Sequence, residues 1–73
     1  MKILVIGATG LIGSAVCARL RSDGHEVVGT IRPGSVLHPA GMDRLIEVDL
    51  AKAVRARDWE RHLDGIDAVV NCA

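Results

Sequence analysis

The chain has 73 residues, an apolar fraction of 49% and a formal net charge of zero, with nine basic side chains against nine acidic ones. Balanced charge without a basic run argues against nucleic acid or an anionic membrane surface as a partner, and no apolar run approaches the roughly 20 residues of a membrane-spanning helix. One Trp and no Phe or Tyr leave Val, Ile, Leu and Ala to build the core, the composition of a parallel sheet buried on both faces.

Lys2 to Ile6 is a continuous apolar run rich in β-branched residues and bounded by Gly7, which predicts a buried strand. The period changes at Leu11. Ile12, Ala15, Val16 and Leu20 fall at helical spacing and predict the buried stripe of a helix. Gly24 follows its last turn, where a left-handed cap belongs. Glu26 to Arg32 predicts a second strand, closed by the Pro33-Gly34 turn.

Residues 35 to 43 mix Ser, His, Pro, Gly and Asp without a period and predict a loop. Arg44 to Leu50 predicts a third strand, and Ala53 to Leu63 a second helix with Gly65 at its end. Ile66 to Cys72 predicts a fourth strand. Strands alternating with crossovers predict an α/β fold, a Rossmann-type doubly wound parallel sheet in the order 3-2-1-4, with its switch point between strands 1 and 4.

The two cysteines, Cys17 and Cys72, make no disulfide framework, and His25, His38 and His62 lie too far apart to suggest a metal site. Reduced thiols point to the cytoplasm. Lys2, the apolar stretch and Ser14-Ala15-Val16-Cys17-Ala18 loosely match a secretion signal. The glycines that break the apolar run, and the charges at Arg19 and Arg21, oppose that reading.

Gly7-Ala8-Thr9-Gly10-Leu11-Ile12-Gly13 follows a strand and opens a helix, the context that turns a glycine pattern into a dinucleotide-binding motif. A pyrophosphate needs the free N–H groups of a helix N-terminus, with no side chain in the way. Gly7 allows the tight turn, Gly10 the approach of phosphate, and Gly13 close packing of helix on sheet; Thr9 offers a hydroxyl. A nucleoside triphosphate loop is unsupported, because no Gly-Lys-Ser/Thr follows.

The end of the second strand carries no carboxylate to hold the ribose hydroxyls of NAD. Arg32 stands there instead, and a guanidinium suits the 2′-phosphate of NADP. Arg32 reads equally as a solvated residue beside the Pro33-Gly34 turn, so the cofactor is NADP by preference or NAD.

With these motifs in place, the chain resembles the short-chain dehydrogenase/reductase superfamily, nearest to its extended and atypical, NAD-dependent epimerase/dehydratase-like branches. The glycine stretch, Gly24-His25-Glu26-Val27 leading to Arg32, Val48-Asp49-Leu50 and Asp67-Ala68-Val69-Val70-Asn71-Cys72-Ala73 carry the likeness. The resemblance implies that Gly7, Gly10 and Gly13, with Leu11 and Ile12 between them, hold the pyrophosphate. It implies that Asp49 and Leu50 contact the adenine, and that Asn71, Cys72 and Ala73 run along the cofactor. Asp49 reads otherwise as a strand-end residue capping the next helix.

The family's Tyr-x-x-x-Lys pair falls beyond the fourth strand, so no catalytic residue is carried over. Residues 1–73 are expected to be the N-terminal portion of one NAD(P)-binding domain, with self-association through its exposed sheet edges. The expected parent is an oxidoreductase or epimerase/dehydratase-like enzyme acting on a small molecule. The alternative is a non-catalytic NADPH-binding redox sensor or a structural subunit.

Overall fold

The computed structural model describes residues 1–34, 42–49, 51–53 and 55–73. Lys2–Ile6 forms β1, Leu11–Ser22 α1, Glu26–Ile31 β2, Arg44–Glu47 β3, Ala56–Leu63 α2 and Ala68–Asn71 β4. All three strand pairs are parallel, and the sheet order is β3-β2-β1-β4. This is the doubly wound α/β arrangement that the alternation predicts. No helix among the described residues is long and apolar enough to cross a membrane.

β1 is central because it is buried from both sides. Ile3 and Val5 face one way, paired in register with Val27 and Gly29 of β2 and with Ala68 and Val70 of β4. With Ala8, Cys17 and Val27 they form the core cluster, and Leu20, Met42, Ala68, Val70 and Cys72 pack against it. Leu4 alternates to the opposite face, where it and Val28 are also fully buried. Removing side chains of this kind from water stabilises a fold by about 1.5–3 kcal/mol each.

α1 lies on its sheet by a different line from the apolar stripe expected of it. The buried residues are Gly13 and Cys17, with Val16 and Leu20 half-buried. Ala15 is exposed, and Leu11 and Ile12 are 90% and 70% exposed. Gly13 explains the difference: a Cβ there would overlap the Gly7 carbonyl and sit 3.1 Å from the Ala8 Cα. The helix is drawn in along its smallest residues, and the bulky ones rotate outward. At its far end, Gly24 (φ +89°) lets the His25 N–H donate to Leu20 O at 3.1 Å and its own N–H to Arg21 O at 3.0 Å.

β2 stops one residue short of Arg32, and β4 covers only Ala68–Asn71 of the expected Ile66–Cys72. The larger departures are the end of β3 and the start of α2, and an aspartate sets each. β3 ends at Glu47 because the Asp49 carboxylate accepts the Ala51 N–H at 3.0 Å and its carbonyl accepts the Lys52 and Ala53 N–H groups. That turn delays α2 to Ala56, where the Asp58 carboxylate accepts the Arg55 N–H at 2.9 Å and secures the first turn. In the crossover between β2 and β3, residues 35–41 lie outside the described set. Its end is pinned by Asp43, whose carboxylate accepts the Val27 N–H at 2.8 Å. The lone tryptophan, Trp59, donates its indole N–H to Ala53 O at 3.0 Å and meets His62 edge to face.

Gly13→Ala is expected to destabilise the protein by about 1–3 kcal/mol, the cost of overpacking against backbone that cannot retreat. The urea midpoint of the full-length protein measures it, and an unchanged midpoint would contradict the close approach.

Candidate functional site

The strands deliver their C-terminal ends to one edge of the sheet, and the glycine loop crosses it. β1 stops at Ile6, and Gly7 (φ +77°) turns the chain under α1. Three contacts fix that turn. The Gly10 N–H donates to Gly7 O at 3.3 Å, the Gly7 N–H donates to the Thr30 hydroxyl oxygen at 3.2 Å, and the Cys72 N–H donates to Ile6 O at 2.8 Å. A Cβ on Gly7 would fall 2.9 Å from the Ala73 nitrogen. Glycine is therefore required at position 7 by its backbone angle and by the end of β4.

Gly10 is different. Its φ is −71°, and a Cβ built on it would meet nothing nearer than Gly7 O at 3.6 Å, an ordinary contact. Neither backbone angle nor packing among the described residues asks for glycine there. Gly10 is also the N-cap of α1, which no side chain among the described residues caps and which has no acidic residue in its first turn. The helix mouth is thus left with unsatisfied N–H donors and a positive dipole end, beside a position kept free of a side chain.

Gly7, Thr9, Gly10, Arg32, Cys72 and Ala73 border one hollow of about 280 Å³, with Thr30 and Val48 behind them. Arg32 also borders a neighbouring hollow of about 420 Å³ together with Asp49. Arg32 lines both, and together they lie along the C-terminal ends of β2 and β3. Arg32 is exposed, and neither it nor Asp49 makes an ion pair among the described residues. Asp49 spends one carboxylate oxygen on the Ala51 N–H, which caps the turn after β3.

Other residues singled out in the sequence stand apart from these hollows. Gly13 is buried beneath Gly7 and borders neither. Leu11 and Ile12 stand exposed at the helix mouth. The Asn71 carboxamide oxygen accepts the Ala73 N–H at 3.0 Å, so Asn71 shapes the chain beside Gly7 rather than lining the hollow. Leu50 lies outside the described residues. No group of three metal-ligating side chains occurs among the described residues. Cys17 is buried, and burial, reinforced by the neighbouring Cys72, pushes its thiol up from the ordinary value.

Sequence reasoning missed Thr30. It is 4% exposed, the one buried polar side chain among the described residues, and it ties β2 to the loop through the Gly7 N–H. A hydroxyl between glycine and isoleucine in an otherwise apolar strand was the available signal.

The sequence profile described as the NAD dependent epimerase/dehydratase family matches residues 3–73. An uncharacterized protein of Mycobacterium tuberculosis is 40% identical over all of this chain, which spans 8% of its length. A Haloferax volcanii protein described as a probable low-salt glycan biosynthesis reductase is 37% identical over all of this chain, which spans 23% of its length. The crystal structure of a putative epimerase from Burkholderia cenocepacia superposes with a TM-score of 0.78 at 32% identity, covering 99% of this chain and 24% of that one.

Thr30→Val is expected to cost about 1–3 kcal/mol, because it leaves the Gly7 N–H without an acceptor in a part-buried turn. Chemical denaturation measures the loss; a variant as stable as the parent would show that the loop does not depend on this hydrogen bond.

Proposed function

The chain belongs to the NAD dependent epimerase/dehydratase family, and from that premise we propose that residues 1–73 hold the adenosine and pyrophosphate end of NAD(P)H. The family implies a nicotinamide dinucleotide. Gly10 carries the assignment of its place: the position lacks a side chain that nothing among the described residues forbids, at the uncapped mouth of α1. A pyrophosphate accepting from the N–H groups of Leu11, Ile12 and Gly13 gives that vacancy a reason.

The rest of the reading follows the edge of the sheet. Thr9 offers its hydroxyl to the phosphates. Arg32, exposed and without an ion-pair partner among the described residues, is assigned to the 2′-phosphate of NADP through a charge-assisted pair. Asp49 keeps one carboxylate oxygen for the adenine amine, and Leu50, placed by sequence alone, is its apolar neighbour. Cys72 and Ala73 flank the middle of the cofactor, with Asn71 holding the Ala73 N–H.

When bound, the dinucleotide supplies hydride transfer to or from a carbon bearing oxygen. This chain contributes binding and orientation: its rigid strand ends hold the dinucleotide, and residues outside positions 1–73 complete an oxidoreductase or epimerase/dehydratase site. We assign the protein to the cytoplasm, a compartment that suits the free thiols of Cys17 and Cys72 in this chain.

Gly10→Val is expected to abolish saturable binding of NADPH and NADH to the full-length protein while cooperative unfolding persists. Retained affinity in that variant would remove the pyrophosphate from the helix mouth. Arg32→Ala is expected to weaken NADPH by about tenfold or more and NADH far less. Equal losses in a fluorescence titration would take the 2′-phosphate away from Arg32.

A further inference from the structure

A second kind of hollow lies at the opposite end of the strands, beneath α2. It measures about 170 Å³ and is bordered by Lys2, Arg44, Arg61 and His62, with Asp64 as the one carboxylate among the described residues that line it and Val28, Ile46 and Ile66 as its apolar lining. Lys2 and Arg44 are the first residues of β1 and β3, and Val28 and Ile46 lie within β2 and β3, so the hollow sits on one face of the sheet, toward the end away from the glycine loop. The four basic residues come from three separate elements.

The charges are only partly balanced. Lys2 Nζ pairs with Glu26 at 3.4 Å, whereas neither Arg44 nor Arg61 makes an ion pair among the described residues. Arg61 Nε donates to His62 Nε2 at 3.4 Å, so the neutral imidazole carries its proton on Nδ1 and keeps that N–H as its donor. Burial, then the Arg61 and Arg44 guanidiniums, hold His62 below the ordinary histidine value. Arg61 and His62 also border a wider hollow lined by Glu47, Asp49, Asp58, Lys52 and Arg57.

The C-terminal dipole of α2 accounts for basic residues at Arg61 and His62. It does not account for Lys2 and Arg44, which the sheet brings up from below. At about 170 Å³ the space falls short of the ~300 Å³ at which small-molecule pockets begin. A nucleotide does not fit; a tetrahedral oxyanion with a few waters does. Guanidinium forks from two sides match the oxygens of such an ion.

We propose that this hollow is a binding site for an inorganic oxyanion of the phosphate class, held between Arg44 of the sheet and Arg61 of α2, with Lys2 and His62 as further donors. Occupied, the site clamps the last turn of α2 to the starts of β1 and β3. It is independent of the glycine loop and of whatever that loop holds.

The test is a titration of the full-length protein with inorganic phosphate, chloride being withdrawn to keep ionic strength constant. The readout is the His62 imidazole resonance, identified by its loss in His62→Gln. A saturable shift is expected, together with a rise in the His62 pKa, since the anion offsets the two guanidiniums. Arg44→Gln and Arg61→Gln are each expected to weaken the response by about tenfold or more. Arg32→Gln, beside the glycine loop, is expected to leave it unchanged. If Arg61→Gln disturbs α2, Arg44→Gln on the sheet decides alone. No saturable His62 shift in the parent protein overturns the proposal, as does a shift that survives Arg44→Gln or disappears in Arg32→Gln.

Discussion

The approach of two glycines, Gly7 and Gly13, governs the geometry of this chain. Gly13 sits so close to the Gly7 carbonyl that a methyl group on it would overlap the oxygen. That proximity settles three things together. It brings the N-terminus of α1 over the end of β1, rotates the helix so that Gly13 and Cys17 face the sheet, and leaves Leu11 and Ile12 at the mouth. Each follows from a contact between backbones, which cores transmit without slack because they are close-packed.

The same turn is held from the side by β2. Because the Thr30 hydroxyl accepts the Gly7 N–H, the position of the loop is tied to the register of β2 on β1. That register is itself set by the facing apolar pairs Ile3–Val27 and Leu4–Val28. Sheet packing and loop geometry are therefore one cooperative unit, and a change in the core of β2 is felt at the helix mouth. β4 closes the other side through the Cys72 N–H and the Ala73 nitrogen near Gly7.

Much of this was legible from the residues alone. Continuous β-branched runs marked the strands, the glycine after each helix marked its end, and the alternation of elements forced the sheet order. The buried side of α1 was not legible, because hydrophobic periodicity weighs bulk, and here the smallest residues make the closest contact. The end of β3 and the start of α2 were obscured by Asp49 and Asp58, whose carboxylates compete for backbone N–H groups. Arg32 and Asp49 could each be named from position, but only the fold puts them on one hollow. The basic hollow had no sequence signature, since Lys2, Arg44 and Arg61 are distant in the chain and meet only across the sheet.

Leu11 and Ile12 have a consequence beyond geometry. They are large apolar side chains, 90% and 70% exposed, standing beside the most polar feature of the molecule, an uncapped row of N–H donors. Whatever covers the mouth of α1 removes both from water while it satisfies those donors. Its association will carry the negative heat-capacity change of apolar burial alongside the favourable enthalpy of hydrogen bonding. Calorimetry at several temperatures would thus separate an occupant that seals the mouth from one that touches only the charges at its rim.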